Sequence, residues 1–421
     1  MIRVETNSVR AVLAVSKALR SFERQFSDEV QPKIMIRFNG DELYFFVTND
    51  RSYPFHYAEF NVPFKGRASQ FRHTLAEGGN LLGLLKGEKD EEIEIGPTTG
   101  GFRMGEVTFE SDLGKIGREI AVEMEDLDCE MESARLGPPL DSNMVSLLWR
   151  YIGSAAATNH ERNSLHNAFV WNKKNWLAAT NGHRLHMVSG LNGWFPKVTS
   201  EAQLTGWCLN CLSLLSKHLE RPDLQPQMLC TPEIVKRGSK VQRFEKTNHQ
   251  YTGFTIGDVT VVSYVPLEGV PDIHLVFERM GKKQLKMQFK VSDWHLFMES
   301  VRSVWPKSVK KECKLVMLHK DHIGIDIDTS LREDDPSKTV TVEMPVQWNG
   351  PDQVFLNINP FYIDDFIRRS GVDDDRKITM RVRNCKEPVK LIASKSLTAY
   401  IMPCGWNDDY GKPWGYGLEN G

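Results

Sequence analysis

The feature that most narrows the choice of fold is a weak internal repeat: three times the chain runs amphipathic helix, hairpin, second helix, strands. The first repeat opens at Asn7, where Asn7 or Ser8 is placed to cap a helix. Val9, Val12, Leu13 and Ser16 of that helix share a face, with Val15 and Leu19 beside them. KIMIRF and LYFFVTN then flank Asn39-Gly40, a pair that tolerates the positive φ of a tight hairpin. A second helix is predicted over ASQFRHTLAEGGNLLGLLK, from near Ala68. The second repeat opens at Ser142, joins HNAFVW to WLAAT through Asn172 to Asn175, and starts its second helix near Leu209. The third opens near Val291, turns at Lys320-Asp321 between KLVMLH and HIGIDID, and starts its second helix near Asn359. From helix start to turn is about 30 residues in every repeat, and from first helix to second about 60 to 70. Such near-equality predicts three copies of one α+β folding unit.

The joints follow from composition. The acidic stretch Glu119 to Pro139 separates the first two repeats, and Pro266 to Lys283 the second from the third. The predicted domains are residues 1–135, 136–273 and 274–404. Residues 405–421 form a Gly-rich, aromatic tail without a period, expected to be an appended mobile segment. Apolar residues make up 40% and charged residues 26%, which suits a globular protein. No apolar run reaches the roughly 18 residues that span a bilayer, so no membrane partner is expected. The opening MIRVETNSVR carries charges where a signal peptide needs an apolar core, and the seven cysteines are scattered and odd in number. A cytoplasmic protein with reduced thiols is expected. The formal net charge of −2 is far from that of a protein that grips nucleic acid by charge alone.

Motifs for bond chemistry are sparse. Cys208-Leu209-Asn210-Cys211 lacks the second pair or nearby His of a zinc site, and Cys211 falls on an apolar helix face, so inert core thiols are expected. Asp326 and Asp328 alternate on a strand and Asp364-Asp365 are adjacent on a helix. Such carboxylates can bind a metal, but solvated faces are commoner. No phosphate-binding loop or nucleophile elbow is present, and GPTTGGF reads as a hairpin turn. No catalytic residue, metal or cofactor is assigned.

One string identifies a family. Ala179-Thr180-Asn181-Gly182-His183-Arg184-Leu185 resembles the A-T-D-G-H-R-L signature of the bacterial DNA polymerase III beta subunit, the sliding clamp. GVPDIHLV (Gly269 to Val276), NPFYIDDF (Asn359 to Phe366) and AYIMP (Ala399 to Pro403) agree with it. The chain departs from the pattern at Asn181, in having one residue fewer between Tyr400 and Met402, and in added length around Glu233 to Tyr251 and in the tail. It is similar to a divergent member.

The resemblance implies an α+β fold of three similar clamp-type domains. Each has two helices packed on antiparallel sheets, and two chains close head to tail into a dimeric ring. It implies a non-enzymatic processivity factor that encircles double-stranded DNA without regard to sequence. It implies that replicative polymerase, clamp loader and repair proteins dock through short peptides rich in Gln, Leu and Phe. The peptide pocket would be built by Leu165, Thr180, Gly182, His183, Arg184, Leu185, Pro271, Leu275, Val276, Asn359, Tyr362, Lys386, Pro388, Ile401, Met402 and Pro403. In such rings helices line the hole, and the basic residues available on or near them are Arg10, Lys17, Arg20, Arg72, Arg150, Lys217, Arg221, Arg302, Lys307, Arg368 and Arg369. The subunit join would extend a sheet by edge pairing, with EVTFES (Glu106 to Ser111) and a strand of the third repeat as candidate edges. Two other readings stay open: a clamp-fold docking adaptor that does not encircle DNA, and a metal-dependent nucleic-acid enzyme using the Asp pairs or the C-x-x-C.

Overall fold

A computed structural model describes residues 1–24, 32–49, 56–76, 85, 90–99, 101–105, 107–110, 131, 134–156, 167–171, 175–190, 193–196, 201–219, 225–231, 234–235, 248–266, 284–305, 314–319, 321–328, 339–350, 353–383 and 387–403. It divides into two compact units. The first holds Met1–Trp149, Ala156–Leu177 and Leu191–Val270; the second holds Arg150–Ala155, Ala178–Gly190 and Pro271–Gly421.

The repeat reappears in part as element order, the second helix of the first copy being absent from the described elements. Helix α1 (Thr6–Glu23) precedes the hairpin Lys33–Phe38/Leu43–Thr48. Helix α2 (Ser142–Ser146), which continues as a π-helical turn over Leu147–Ile152, precedes Asn167–Trp171 and Trp176–Thr180. Helix α3 (Gly206–His218) is the second helix of that repeat. Helix α4 (Val291–Val304) precedes Lys314–His319/His322–Asp328, and α5 (Pro360–Ser370) closes the third repeat. Gly40, at φ +107, and Asn175, at φ +52, take the left-handed conformations that their turns require.

Three expectations about helix ends change. Helix α1 starts at Thr6, one residue before the expected cap, and the N-cap position Glu5 makes no side-chain cap bond. The Thr6 hydroxyl donates instead to the Asp90 carbonyl at 2.7 Å. Helix α3 starts at Gly206 rather than near Leu209, because Thr205 accepts from the Cys208 amide and caps it. The helix expected from Ala68 is contradicted: Phe71–Ala76 is a strand, paired with Lys33–Phe38. There His73 and Leu75 are buried while Arg72 is exposed, a two-residue alternation that suits a strand. Residues 77–84 and 86 of the expected helix lie outside the described residues.

In the first unit a long antiparallel sheet runs in the order Arg135–Pro139, Gln227–Cys230, Asn248–Ile256, Val259–Pro266, His56–Asn61, Leu43–Thr48, Lys33–Phe38, Phe71–Ala76. A five-stranded sheet runs Phe64–Lys65, Ile2–Glu5, Glu92–Thr98, Gly101–Met104, Val107–Glu110. Its hairpin at Thr98↔Gly101 is the turn expected of GPTTGGF. Helices α1 and α3 pack on each other. α1 buries Val9, Val12, Leu13, Val15 and Leu19, and α3 buries Trp207, Leu209, Leu212 and Leu215.

In the second unit, strands run Arg184–Ser189, Leu397–Ile401, Val389–Ile392, Lys377–Val382, Leu285–Lys290, Gln347–Trp348. A separate four-stranded sheet is ordered Thr339–Pro345, His322–Asp328, Lys314–His319, Gln353–Ile358. Trp294, Phe297, Met298 and Val301 on α4 and Ile363, Phe366 and Ile367 on α5 form its helical core. Truncating a side chain as large and as buried as Trp294 costs about 3–5 kcal/mol.

Candidate functional site

The signature segment is a tightly wired turn. Strand Trp176–Thr180 is buried throughout and ends where Asn181 begins a loop. The Asn181 side-chain oxygen accepts from the amides of His183 and Arg184, each at 3.0 Å. The Thr180 hydroxyl accepts from the Gly182 amide at 3.0 Å and donates to the Arg184 carbonyl at 2.6 Å. Gly182 sits at φ +84, where a Cβ is strained. The two turn bonds made by the Asn181 side-chain oxygen are acceptances, which Asn performs as Asp does, so the departure from the pattern keeps them.

From there Arg184–Ser189 pairs with Leu397–Ile401, with Arg184 opposite Ile401 and Leu185 opposite Tyr400. The Met402 amide donates to the His183 carbonyl at 2.8 Å, so the signature and the closing segment form one wall. Pro388 is buried beside Val389, which pairs with Ile401. Asn359 caps α5 by accepting from the Phe361 amide at 3.0 Å, with Pro360 in the first turn.

Arg184 joins these parts. Its guanidinium donates to the Asp365 carboxylate and to the Ser154 carbonyl, and lies 4.9 Å from the centroid of the Tyr362 ring. Burial raises the Asp365 carboxyl, but Arg184 and Arg369 outweigh it and hold its pKa below the usual value. Behind this wall His186 is fully buried, with Nδ1 2.8 Å from the Tyr151 carbonyl oxygen. Burial and then Arg184 push its pKa down to about 4, so the ring is neutral at physiological pH. The Tyr151 hydroxyl donates to the Thr398 carbonyl at 2.6 Å, and Phe366 packs against both rings.

Thus the second unit brings together Thr180, Gly182, His183, Arg184, Leu185, Asn359, Tyr362, Pro388, Ile401, Met402 and Pro403. Thr180, Leu185, Asn359, Pro388 and Ile401 are buried and hold the wall from behind. Gly182 and His183 are exposed, and Arg184, Tyr362, Met402 and Pro403 are half-buried, so these carry its outer surface. Leu165, Pro271, Leu275, Val276 and Lys386 lie outside the described residues, as do Arg221 and Lys307.

The remaining basic residues are placed as follows. Lys17 is exposed on α1; Arg10 and Arg20 are half-buried near it, Arg10 donating to Asn7 and to the Leu85 carbonyl, each at 3.2 Å. Positions 7, 10, 17, 21 and 24 fall on one stripe, the side of α1 left outside the core. Lys217 is exposed on α3 and Arg150 on the π-helical turn, whereas Arg72 is on a strand. Arg302 on α4 and Arg368 on α5 both reach Asp364, and Arg369 reaches Asp365 at 2.8 Å. The adjacent Asp pair was open to a metal reading in the sequence; here guanidinium groups occupy both carboxylates. The i,i+4 spacing of Asp364 to Arg368 and Asp365 to Arg369 is the signal that points to this.

The thiols of Cys208 and Cys211 are buried on α3. Burial pushes Cys208 up to about 11 and Cys211 well above the normal range, so both stay protonated and unreactive. Asp326 accepts from the Thr341 hydroxyl at 2.7 Å. Among the described residues no cluster of His, Cys, Asp and Glu is arranged to hold a metal, and no helix is long and apolar enough to cross a membrane.

One array escaped the sequence reading. In the first unit His56 Nδ1 lies 2.7 Å from the Ser263 hydroxyl, and His56 Nε2 lies 3.6 Å from Glu23. Asn49 donates to Glu23 at 2.7 Å, and Ser263 also meets Thr205 at 2.8 Å and Cys208 at 3.2 Å. A Ser–His–Glu order resembles a nucleophilic relay, but Ser263 and His56 are 0% exposed and Glu23 4%, so no substrate reaches the hydroxyl.

The fold is of a recognisable class, that of the bacterial DNA polymerase III beta subunits. The chain is similar over 97% of its length to the whole of the DNA polymerase III beta subunit of Thermotoga maritima, at 14% identity and a TM-score of 0.68. The beta subunit of Pseudomonas aeruginosa matches 96% of the chain over its whole length, at 14% identity and a TM-score of 0.66. That of Borrelia burgdorferi, solved in complex with a natural product, matches 96% over 98% of its length, at 15% identity and a TM-score of 0.65. Neither a protein-family model nor a curated protein matches the sequence. The chain has the α+β fold of a DNA polymerase III beta subunit, in a strongly diverged sequence.

Proposed function

We propose that the chain is a DNA sliding clamp: a processivity factor built of three clamp domains (1–135, 136–273 and 274–404) that pairs with a second copy and encircles duplex DNA. The observation that carries this reading is the clamp fold over nearly the whole chain, combined with helices that bear the exposed Lys17, Lys217 and Arg368 and the half-buried Arg302. A ring needs no tight grip to stay on DNA. Weak, screened attraction to phosphates lets it slide, which reconciles basic helix faces with a net charge of −2.

The wall of His183, Arg184, Tyr362, Met402 and Pro403 is proposed to receive the Gln/Leu/Phe-rich peptides of polymerase, clamp loader and repair proteins. A few apolar anchors in such a site supply most of a peptide's affinity, and Met402 adapts to varied side chains. The function requires no cofactor and no bond chemistry.

The test is topological. Light scattering gives the oligomeric state, and retention on nicked circular DNA is compared with retention after the circle is cut. A dimer held by the circle and released by linearisation is expected. A chain that binds the peptide but shows no difference between circle and line is an adaptor instead.

A further inference from the structure

We propose that Arg302 and Arg368 form a seat for one backbone phosphate of duplex DNA, shaped by the buried carboxylate of Asp364. The proposal rests on the clamp reading and adds a specific anion site to it.

The geometry is a convergence. Arg302 Nη2, from α4, and Arg368 Nε, from α5, both donate to the same oxygen, Asp364 Oδ2, Arg368 at 3.0 Å. Asp364 is 4% exposed, while the two arginine side chains are 34% and 46% exposed. Each guanidinium has five N–H groups, and the contact with Asp364 uses one of them. Solvent therefore meets two half-exposed cationic forks, fixed side by side, and not the carboxylate that fixes them. The local sum is two positive charges against one negative, so the pair keeps a charge for an anion to satisfy. Forks of this shape match the oxygens of a phosphate.

The neighbouring pair shows the contrast. Arg184 and Arg369 share Asp365, but the Arg184 side chain is only 13% exposed and also binds the Ser154 carbonyl. It is a structural tie rather than a seat. Because guanidinium groups already hold both carboxylates, a divalent cation is disfavoured at Asp364 and Asp365, and an anion is favoured at the arginines.

The experiment measures affinity for a fluorescent duplex by anisotropy across a salt series, for the wild-type protein, Arg302→Gln, Arg368→Gln, the double variant and Arg302→Lys. One neutralised phosphate contributes about 0.9 to the slope of log affinity against log salt. Each Gln variant should lose most of that slope. The double variant should lose no more than about 0.9 in total, because both arginines serve one phosphate. The wild-type advantage should shrink about three- to fourfold when salt rises fourfold. Arg302→Lys should keep the slope but bind more weakly, having charge without the fork. Thermal melts confirm that each variant folds.

Single variants with the wild-type slope, on a wild type that does bind duplex, overturn the seat and leave the clamp reading standing. A double variant that loses about twice the single value also overturns it, since the arginines then serve separate phosphates. A wild type with no salt-dependent duplex binding overturns the seat, while the clamp reading falls only if circular DNA also fails to retain the protein. Melting shifts with inorganic phosphate that depend on Arg302, alongside unchanged duplex slopes, assign the pair to a free anion and overturn the DNA seat.

Discussion

At position 181 the chain carries Asn where the clamp signature carries Asp, and the structure shows why the exchange is tolerated. The side-chain oxygen accepts from two backbone amides that would otherwise go unpaired in the turn, and Asp offers the same acceptor. Asn181→Asp should therefore change thermal stability by less than about 0.5 kcal/mol. Asn181→Ala removes both bonds and should cost about 1–2 kcal/mol, and by loosening the turn it should also weaken the proposed peptide capture at His183 and Arg184. Denaturant melts and a peptide-binding titration check the pair of variants. Equal losses for Asp and Ala would show that the amide nitrogen, not the oxygen, matters. This turn was legible in the sequence because Thr180, Asn181, Gly182 and Arg184 are neighbours. The lock between Arg184 and Asp365 was not, since it joins residues 181 apart. A sequence read locally shows two charged residues there and not the contact.

At the scale of elements, helix α1 and the strands around His56 and Ser263 are joined by the buried array of Glu23, Asn49, His56 and Ser263. Burial, only partly offset by the Asn49 hydrogen bond, pushes Glu23 up to about 7. Burial pushes His56 down to about 3. The raised Glu23 contributes stability that is complete below its unfolded value near 4.3 and is lost as pH rises through about 7. The depressed His56 contributes stability that is complete above its unfolded value near 6.5 and is lost as pH falls through about 3. The two act in opposite directions, so between about pH 4.5 and 6.5 they nearly cancel. Above that window only the Glu23 loss continues. Glu23→Gln keeps the hydrogen bonds without the charge, so its stability relative to wild type should rise between pH 6 and 8.5 by about 1.4 kcal/mol, about one pK unit. Chemical denaturation at the two pH values measures it, and a pH-independent difference would show that Glu23 is ionised throughout.

Elements differ in how well they announce themselves. The hairpin at Asn39-Gly40 and the cap at Asn359 depend on residues adjacent in sequence, and both form where expected. Phe71–Ala76 was misread because Ala68, Leu75 and the leucines beyond it suit a helix. Only pairing with Lys33–Phe38, a tertiary event, selects the strand. The array around His56 had no local trace, since His56 and Ser263 are 207 residues apart.

For the whole molecule the open matter is ring closure. Strand Val107–Glu110 is the last in its sheet among the described residues, with only Gly101–Met104 beside it. An edge of this kind presents unpaired backbone groups and invites a second chain. In the proposed clamp it is the place where a strand of the third domain of the other copy adds on. Along an antiparallel strand successive N–H groups point alternately toward the neighbour and away from it. Of Val107 and Thr108, one therefore donates inward and the other outward. Proline removes the donor, so Val107→Pro and Thr108→Pro form a matched test. The variant that loses the inward donor should lower the melting temperature with little effect specific to assembly. The variant that loses the outward donor should keep a normal melt for the subunit yet run as a monomer in light scattering, and it should no longer distinguish circular from linear DNA. If both variants remain dimers, the subunit join lies elsewhere. If the outward variant is a monomer that still stays on circles alone, retention does not come from closing a ring, and the near-neutral charge of the chain would again need an explanation.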